Sequence, residues 1–423
     1  MYTVLLISED DMKYGLIGEH LGHSFSKEVH SHLSDYDYEL CEIAKDELDS
    51  FMRRADFKAI NVTIPYKEKV IPYLNYISDE AKMIGSVNTI VNRDGKLYGY
   101  NTDFFGLTSL IDRMHLSLKG KKTVILGTGG TSKTALAVSK SLGAYPIITV
   151  SRVKKDGCID YDELMRDHLD AEIIINTTPV GMYPDNFSAP IDITPFERLE
   201  GVIDAIYNPI RTSLVVSALE KGIKAEGGLY MLVAQAVYAS EIFLDTKHPK
   251  EKLNKIFKRI KRKKENIVLI GMPASGKTTL SNLIAKDLSR EAYDTDRMIV
   301  SSRGISVPEI FESEGEAAFR EYESNEIANV SLRNSAIIST GGGAILKKDN
   351  IRMLRQNGVI FFIDRPYEKL IPTADRPLAK DIEAIKKRYE ERYSIYVESA
   401  DYVIDADDTP TSIAKEIIGV FYK

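Results

Sequence analysis

The 423-residue chain lacks the features that mark membrane, secreted or nucleic-acid-binding proteins. No stretch approaches the roughly 18 to 20 consecutive apolar residues of a membrane span, and MYTVLLISEDD has neither the basic start nor the apolar length of a secretory signal. Two cysteines, Cys41 and Cys158, are too few for a disulfide framework or a thiolate metal site. A formal charge of -6 argues against general affinity for nucleic acid or anionic membranes. We therefore expect a cytoplasmic protein with neither kind of partner.

What the chain has instead is a series of short Val- and Ile-rich runs that alternate with helical patterns. Examples are AINVTI, TVILG, EIIIN, NIVLIG and VIFFID. Such runs, bounded by turn residues, are typical of buried parallel strands in α/β domains. At about 150 residues per domain, the length suggests roughly three domains. We predict α/β domains at residues 1–100, 101–245 and 266–423.

Residues 246–265 carry a different pattern. The segment TKHPKEKLNKIFKRIKRKKE is dense in Lys and Arg, with Leu253, Ile256, Phe257 and Ile260 at helical spacing. We interpret it as a linker helix with a solvated basic face, as most basic runs are. The alternative is a site for an anionic partner such as nucleic acid, but no aromatic stacking platform accompanies the charges.

A glycine-rich turn separates two strand-like runs in KKTVILGTGGTSKTALAVSKSLGAYPIITVSR. Strand, turn, helix and strand within about 30 residues form the unit that binds dinucleotides. Small residues let the backbone approach a pyrophosphate at the helix N-terminus, where amide groups favour negative charge. A tight turn without a ligand is the alternative. The predicted cofactor residues are Gly127, Gly129, Gly130 and Ser132, the last of which stands where a third glycine is common.

The end of the second strand distinguishes NADP from NAD. An acidic residue there holds the ribose 2′-hydroxyl of NAD, whereas a cation suits the 2′-phosphate of NADP. Residues 151–155 read SRVKK and include no acid. We therefore predict NADP or NADPH as cofactor, with Arg152 on the phosphate. The alternative is that Arg152 is an ordinary solvated arginine.

Residues 14–245 as a whole resemble shikimate dehydrogenase. Eight segments follow in family order: GEHLGHSFSKEVH, NVTIPYKE, GSVNT, NTDFFG, GTGGTSKTA, NTTPVGM, DAIYNP and GLYMLVAQA. The resemblance implies a substrate domain and an NADP-binding Rossmann domain whose last helices pack back on the first. It implies that Lys67, beside Asp103, transfers the proton. It also implies that substrate is bound by Ser24, Ser26, Thr63, Asn88, Asp103, Tyr207 and Gln235, and cofactor by Gly228 and Met231.

Departures from the family leave the substrate partly open. The chain has Glu19-His20 where Asn-Pro is common, and Tyr100 where an Asp is usual, so a related polyol such as quinate is an alternative substrate. Four histidines within 13 residues raise the question of a metal: His20, His23, His30 and His32. No Cys or carboxylate joins them at a spacing recognised for zinc, so we expect none.

A second nucleotide motif, NIVLIGMPASGKTTL, matches G-x-x-x-x-G-K-[ST] between a strand and a helix. The amides of such a loop cradle phosphates, Lys277 reaches the β and γ groups, and the Thr278 hydroxyl binds Mg²⁺. A loop that binds no nucleotide is improbable in this context. The predicted ATP-binding residues are Gly271, Ala274, Ser275, Gly276, Lys277, Thr278 and Thr279.

Residues 266–423 resemble shikimate kinase, because YDTDRMI, EGEAAFREYE, STGGGA, DRPLAK and RYSIYVESA follow in order. The resemblance implies that Asp294 holds Mg²⁺ through water and that Asp296 orients or deprotonates the substrate hydroxyl. It places Arg376 in a lid over the ATP phosphates. Solvated arginines and a simple glycine turn are the plainer alternatives. The implied shikimate-binding residues are Asp296, Arg320, Gly341, Gly342, Gly343 and Arg392, the arginines pairing with the carboxylate.

Together these patterns predict a bifunctional enzyme of chorismate and aromatic amino-acid biosynthesis. The first part would reduce 3-dehydroshikimate to shikimate with NADPH, and the second would phosphorylate shikimate to shikimate 3-phosphate with ATP and Mg²⁺. An alternative keeps the dehydrogenase and makes the last domain a regulatory nucleotide-binding module. The presence of Lys277, Asp296, Arg320 and Arg392 argues against that alternative. The sequence leaves the oligomeric state open.

Overall fold

The computed structural model describes residues 12–22, 25–154, 156–370 and 382–423. The chain forms two compact units. In the described ranges, no helix is long and apolar enough to cross a membrane. The first unit comprises the chain up to Val180 with residues 190–207 and 217–260, and the second comprises residues 181–189, 208–216 and 261–423.

The first sheet of the first unit is mixed. Its strands are β1 (Tyr14–Gly18), β2 (Tyr38–Glu42), β3 (Ala59–Val62), β4 (Tyr76–Ile77), β5 (Thr89–Arg93) and β6 (Lys96–Tyr100). They lie in the order β2-β1-β3-β5-β6-β4. Strand β5 is antiparallel to both β3 and β6, and β1 is parallel to β2 and β3. The carboxyl end of β3 leads into the segment that carries Lys67.

The second sheet of the first unit is parallel throughout the described residues. Its strands are β7 (Thr123–Leu126), β8 (Ile147–Val150), β9 (Ile173–Asn176), β10 (Gly201–Asp204) and β11 (Lys224–Glu226). The order β11-β10-β9-β7-β8 places β7 between β8 and β9. The chain therefore reverses its winding direction at β7, and ligands of such sheets bind outside the carboxyl ends of the strands at this point.

Helices cover both sheets. They are α1 (Ser26–His30), α2 (Leu48–Arg54), α3 (Asp79–Ile84), α4 (Thr102–Arg113), α5 (Gly130–Ser141), α6 (Tyr161–Asp167), α7 (Ser213–Glu220), α8 (Leu229–Leu244) and α9 (Lys250–Lys264). Helices α4 and α8 approach closely at Gly106, where a Cβ would lie 2.8 Å from the carbonyl oxygen of Met231. The end of α8 returns to the first sheet, because Ala239 and Phe243 pack with Leu16.

The basic helix α9 has a buried apolar side. Ile256, Phe257 and Ile260 are almost fully buried in the hydrophobic core of the first unit, and Leu253 packs against the same core. The predicted helix is therefore present, and its apolar residues at helical spacing belong to the dehydrogenase-like part of the chain. Lys255, Lys258, Arg259 and Lys263 are exposed, whereas Lys264 at the end of the helix is buried.

The second unit contains a parallel sheet with helices on both faces. Its strands are β12 (Asn266–Ile270), β13 (Ala292–Asp294), β14 (Ile337–Ser339), β15 (Gly358–Asp364) and β16 (Tyr402–Asp405), in the order β13-β14-β12-β15-β16. Strand β12 is central and wholly buried, with a separate apolar cluster on each face of the sheet. The helices are α10 (Lys277–Leu288), α11 (Thr295–Arg303), α12 (Val307–Ser313), α13 (Gly315–Ser331), α14 (Lys348–Asn357), α15 (Ile382–Ser399) and α16 (Pro410–Tyr422).

Candidate active sites

Lys67 and Asp103 meet in the first unit. The backbone carbonyl of Lys67 accepts a hydrogen bond from the amide of Val87 at 2.8 Å. Asp103 lies in the first turn of α4, where its amide donates to the side chain of the capping residue Asn101. The Lys67 Nζ lies 2.6 Å from Asp103 Oδ2, and both side chains are partly buried. A lysine held in this way can exchange a proton with a polar group bound beside it.

A hydrogen-bonded chain fixes the polar residues behind this pair. Asn88 is buried, and its Oδ1 accepts from the Thr102 amide at 2.8 Å and from the Thr102 hydroxyl at 3.2 Å. The Thr102 hydroxyl also lies 3.4 Å from Gln235 Oε1 on α8. Thr63 is placed at the end of β3 by a bond from its amide to the carbonyl of Ile17. Asn88 and Gln235 are thus linked through one threonine.

The remaining predicted substrate residues lie on α1 and after β10. Ser26 begins α1, and its side chain hydrogen-bonds to Tyr38. The ring of Tyr207 packs edge-on against Phe25, with centroids 5.8 Å apart. Burial raises the pKa of the Tyr207 hydroxyl, so this group is a neutral donor and acceptor. Ser24 lies outside the described residues.

The glycine-rich turn after β7 is shaped for close approach. Gly127 has a φ of +104°, and a Cβ there would lie 2.8 Å from the Thr177 hydroxyl. A Cβ at Gly129 or Gly130 would meet nothing within 4 Å, so the turn faces open space at the start of α5. The Ser132 hydroxyl donates to the carbonyl of Gly129 at 2.6 Å. The turn therefore fits a pyrophosphate at a helix N-terminus.

Gly228 and Met231 belong to the start of α8. A Cβ at Gly228 would lie 2.2 Å from the carbonyl oxygen of Ala205, so only glycine fits there. The Gly228 amide donates to the carbonyl of Ile206 at 2.8 Å, which ties the helix start to the end of β10. Met231 is buried one turn later.

Arg152 is exposed two residues beyond β8. Strand β8 pairs in parallel with β7, so Arg152 and the turn at Gly127 follow the carboxyl ends of neighbouring strands. Lys154, the next cation, is paired with Glu163 at 2.6 Å. Of these two side chains, Arg152 is the one with the position and charge for a nucleotide phosphate.

The histidine group includes a core residue. His30 is buried, stacks on Tyr38 with ring centroids 3.9 Å apart, and its Nδ1 lies 2.5 Å from the Tyr36 hydroxyl. Burial lowers the pKa of His30 to about 3, so the ring is neutral. His23 lies outside the described residues. Across the described part of the chain, no three His, Cys, Asp or Glu residues are grouped to hold a metal ion.

The phosphate loop of the second unit joins β12 to α10. Gly271 and Gly276 have φ values of +150° and +92°. Lys277 is buried, and its Nζ donates to the carbonyl oxygens of Gly271 at 2.9 Å and Met272 at 2.8 Å. The lysine therefore lies along the inner side of the loop, where a phosphate oxygen would replace these carbonyls as acceptor.

Thr278 and Asp294 form the candidate magnesium ligands. The Thr278 hydroxyl donates to Asp294 Oδ2 at 2.7 Å, and Asp294 Oδ1 caps α11 by accepting from the Arg297 amide. Hydroxyl and carboxylate oxygens are the donors that Mg²⁺ prefers, and this ion usually keeps several waters and takes few protein ligands. The two side chains therefore fit such an ion beside bound phosphates.

The Gly341-Gly342-Gly343 segment is packed against charged side chains. A Cβ at Gly341 would lie 2.5 Å from both Asp296 Oδ1 and Glu323 Oε1, and one at Gly343 would lie 2.0 Å from Arg320 Nη1. The glycines therefore allow a carboxylate pair and a guanidinium to reach the backbone. The Gly341 amide donates to Thr295.

Arg320 is held by two glutamates from its own helix. Its Nη1 donates to Glu323 Oε2 at 2.8 Å and its Nη2 to Glu316 Oε1 at 3.0 Å. Burial raises the pKa of the Glu323 carboxyl, against the opposing effect of Arg320. Arg392, also buried, donates from Nη1 to the carbonyl of Gly342 at 3.1 Å.

One cavity of about 720 Å³ brings these groups together. The phosphate loop, Asp294, Asp296, Arg320 and Arg392 all line it. Arg376, predicted for the lid, lies outside the described residues. A nucleotide and a small acid can therefore share one space, because its lining includes both phosphate-binding groups and arginines.

Comparison with known proteins places the first unit. The family model for the shikimate dehydrogenase substrate binding domain matches residues 16–90. An NADP(+) shikimate dehydrogenase of Clostridium perfringens strain 13 is 38% identical over 267 residues, which cover 59% of this chain and 98% of that protein. The chain belongs to the shikimate dehydrogenase family.

Solved structures of shikimate dehydrogenases confirm the predicted α/β fold of this part. Shikimate dehydrogenase 1 from Peptoclostridium difficile is 39% identical, with a TM-score of 0.53, and the match covers 59% of this chain and 98% of that one. A chorismate mutase/shikimate 5-dehydrogenase fusion protein from Clostridium acetobutylicum is 35% identical, with a TM-score of 0.56, over 60% and 98% of the two chains.

The remainder of the chain matches a second family. The shikimate kinase model covers residues 273–421, which follow the residues matched by the dehydrogenase domain model. The predicted resemblance to both families is therefore confirmed, and the chain joins a shikimate dehydrogenase to a shikimate kinase domain.

Sequence reasoning missed Glu323 in the kinase domain and Thr102 in the dehydrogenase. Glu323 lies three residues after Arg320 on α13, a spacing that predicts an ion pair on a helix face. Thr102 directly precedes Asp103 in the NTDFFG segment, in which only Asp103 is predicted to bind substrate. Its links to both Asn88 and Gln235 depend on the packing of α4 against α8.

Proposed function

We propose that this chain catalyses two consecutive reactions. The first is the NADPH-dependent reduction of 3-dehydroshikimate to shikimate, and the second is the transfer of a phosphoryl group from ATP to shikimate, giving shikimate 3-phosphate. The strongest support is the cavity of about 720 Å³ in the second unit, where a phosphate loop and two arginines lie together with Asp296. Shikimate, the product of the first reaction, has the carboxylate and hydroxyl groups that these arginines and Asp296 could bind.

In the dehydrogenase, NADPH supplies a hydride when bound. Lys67 would donate a proton from Nζ to the ketone oxygen as it becomes an alkoxide, and would take the proton back in the reverse direction. Asp103 keeps the ammonium group in place at 2.6 Å. We assign the substrate carboxylate to Ser24 and Ser26, and the substrate hydroxyls and ring to Thr63, Asn88, Tyr207 and Gln235.

The cofactor site of the dehydrogenase follows from the second sheet. Open space at Gly129 and Gly130 gives the pyrophosphate access to the amides at the start of α5. Arg152 would pair with the 2′-phosphate, which favours NADPH over NADH. Gly228 and Met231, together with Gly127 and Ser132, would complete the cofactor site.

In the kinase domain, Asp296 would orient or deprotonate the attacking hydroxyl. Lys277 would exchange its two loop carbonyls for phosphate oxygens, and Thr278 with Asp294 would hold Mg²⁺, which neutralises phosphate charge when bound. Arg320, Arg392 and the three glycines would bind shikimate. Arg376 and the loop residues Gly271, Ala274, Ser275, Gly276 and Thr279 would contact ATP.

We further propose a division of labour along the chain. Residues 1–100 bind the dehydrogenase substrate, residues 101–245 bind NADP, residues 246–265 connect, and residues 266–423 form the kinase. Because the substrates and nucleotides are small soluble metabolites, we place the enzyme in the cytoplasm.

A coupled assay on the purified chain tests the proposal. With 3-dehydroshikimate, NADPH, ATP and Mg²⁺, we expect NADPH oxidation and formation of shikimate 3-phosphate. Without ATP, the reaction should stop at shikimate. ATP binding with no shikimate-dependent ADP release would show a regulatory module instead of a kinase. Quinate with NADP serves as the comparison substrate, and faster oxidation of quinate than of shikimate would contradict the dehydrogenase assignment.

A further inference from the structure

Helix α15 carries a second arginine that faces the kinase cavity. Arg388 lies one turn before Arg392, so the two side chains project from the same face of the helix. Both line the cavity of about 720 Å³, together with Arg320. The neighbouring Lys387 lies on the outer face, and its side chain is 79% exposed.

The three arginines differ in how their donors are used. Arg320 is bonded to Glu316 and Glu323, and Arg392 donates from Nη1 to Gly342. The Nη1 of Arg388 is buried and has no hydrogen-bond partner among the described residues. A buried donor on a charged group is costly to leave unpaired, so such a group favours the arrival of an anion.

The charges around Arg388 indicate which end of the cavity it serves. Arg392, Glu316, Glu391 and Arg320 act on it electrostatically, and these belong to α13 and α15. Lys277 and the phosphate loop belong to other elements, the turn after β12 and the start of α10. Glu391 is exposed and pairs with Lys387. Of the acids that line the cavity, Asp296 and Glu323 lie nearest the three arginines, so one positive charge remains. A single carboxylate balances it.

We propose that Arg388 is a third arginine of the acid-binding end of the kinase cavity, with its Nη1 donating to the carboxylate of the substrate beside Arg320 and Arg392. The inference rests on the kinase function proposed above. It adds to that function a residue that selects monocarboxylate substrates. No covalent step involves Arg388.

Arg388→Met tests the proposal. A charge-assisted hydrogen bond is worth enough that its loss should raise the KM for shikimate about 10- to 100-fold, while the KM for ATP changes less than about twofold. Arg388→Lys should recover part of the loss, because it restores the charge without the planar donor pair. Lys387→Met is the matched control on the outer face and should leave both constants unchanged. The unchanged KM for ATP reports that the second unit is folded, and NADPH-dependent activity reports the same for the first unit.

Shikimate methyl ester separates the carboxylate from the rest of the substrate. With this ester, the unsubstituted chain and Arg388→Met should have equal kcat/KM. An unchanged shikimate KM in Arg388→Met, the same penalty with the ester, or a raised KM for ATP would each overturn the assignment to the carboxylate. Absence of shikimate-dependent ADP release in the unsubstituted chain would overturn the kinase function as well, so the two failures are distinguishable.

Discussion

Each unit of this enzyme has a buried or partly buried lysine at its candidate active site, and the two lysines differ in what they touch. Lys67 faces a carboxylate, with its Nζ 2.6 Å from Asp103. Lys277 donates to two neutral carbonyl oxygens of its own loop. Lys67 follows a strand of the mixed sheet, outside the nucleotide turn of its unit, whereas Lys277 is part of the nucleotide loop itself.

The difference shows how the groups around a lysine determine which chemical role it can have. A carboxylate at hydrogen-bond distance keeps the lysine side chain in place while it alternates between its ammonium and amine forms. Neutral carbonyls that a phosphate oxygen replaces need only a constant positive charge. The proposed function therefore gives the first lysine a role in acid–base chemistry and the second a role in charge stabilisation, and substitutions should separate these roles.

The largest effect should come from Lys67→Arg. Arginine keeps the charge beside Asp103 but does not give up a proton in proteins, so the dehydrogenase kcat should fall about 100- to 10,000-fold. Lys67→Met should show a similar loss with little change in the KM for 3-dehydroshikimate. NADPH oxidation measures both, and a thermal unfolding temperature of the first unit equal to that of the unsubstituted chain is the folding control. Near-normal turnover in either variant would disprove the proton-transfer role.

Lys277→Met should have the next largest effect. Loss of one fixed positive charge at the transferred phosphoryl group should reduce the kinase kcat about 100- to 1,000-fold. Lys286→Met, an exposed lysine on the same helix α10, is the control. ADP release with saturating shikimate is the measurement. If both variants retained full activity, Lys277 would have no catalytic charge role, and the comparison with Lys67 would fail.

Arg152→Gln should affect binding of one cofactor only. Removing its guanidinium from the 2′-phosphate should raise the KM for NADPH about 10- to 100-fold and leave the KM for NADH unchanged. Lys154→Gln removes a cation that already pairs with Glu163, so its effect should be smaller. Equal losses with NADPH and NADH would place Arg152 away from the phosphate.

The smallest effect concerns stability, where one buried group in each unit should respond to acid in opposite directions. Burial lowers the pKa of His30 to about 3, so the unfolded first unit binds this proton below about pH 6.5 and the folded unit does not. Stability should fall as pH drops from 6.5 towards 3, by about 2 kcal/mol at pH 5, or roughly 4 to 8 °C in Tm. Burial raises the pKa of Glu323 in the second unit. Protonation of this buried carboxylate in acid removes the free-energy cost of burying its charge, so its contribution to stability becomes more favourable as the pH falls.

Residual activity after heating at pH 5 and pH 7.5 measures this difference. Dehydrogenase activity should be lost at lower temperature at pH 5, whereas the Glu323 contribution to kinase stability should change in the opposite direction. His30→Phe should weaken the acid sensitivity of the dehydrogenase, and His20→Gln, at an exposed position, should not. Equal acid sensitivity in the His30 variant and the unsubstituted chain would contradict the role of this buried ring.

The sequence predicts a feature well when the residues that form it are consecutive in the chain. The strand, loop and helix around Gly127 and around Lys277 are continuous segments, so their spacing alone indicates phosphate binding. The α/β class followed from buried apolar runs, and the comparisons bear it out. Roles of single residues such as Arg320 and Arg392 came from the resemblance, because spacing alone does not reveal their contacts.

Other features depend on packing that the sequence pattern does not show. Arg388 and Glu323 lie on different helices, and only the tertiary arrangement of α13 and α15 brings them to one cavity. The triplet Gly341-Gly342-Gly343 also depends on packing. A Cβ at any of these positions would clash with a neighbouring side chain, and none of the three residues has a positive φ. The sequence alone therefore does not show whether a glycine is needed for a positive φ or for lack of space beside it.

The buried side of α9 determines where a free-standing dehydrogenase could end. A fragment that stopped at residue 245 would lack Ile256, Phe257 and Ile260, which fill part of its own core. It would expose the apolar surface that these residues cover, and we expect it to aggregate, whereas a fragment that ends after the helix would keep its core closed. The basic helix α9 therefore both connects the dehydrogenase to the kinase domain and completes the core of the dehydrogenase.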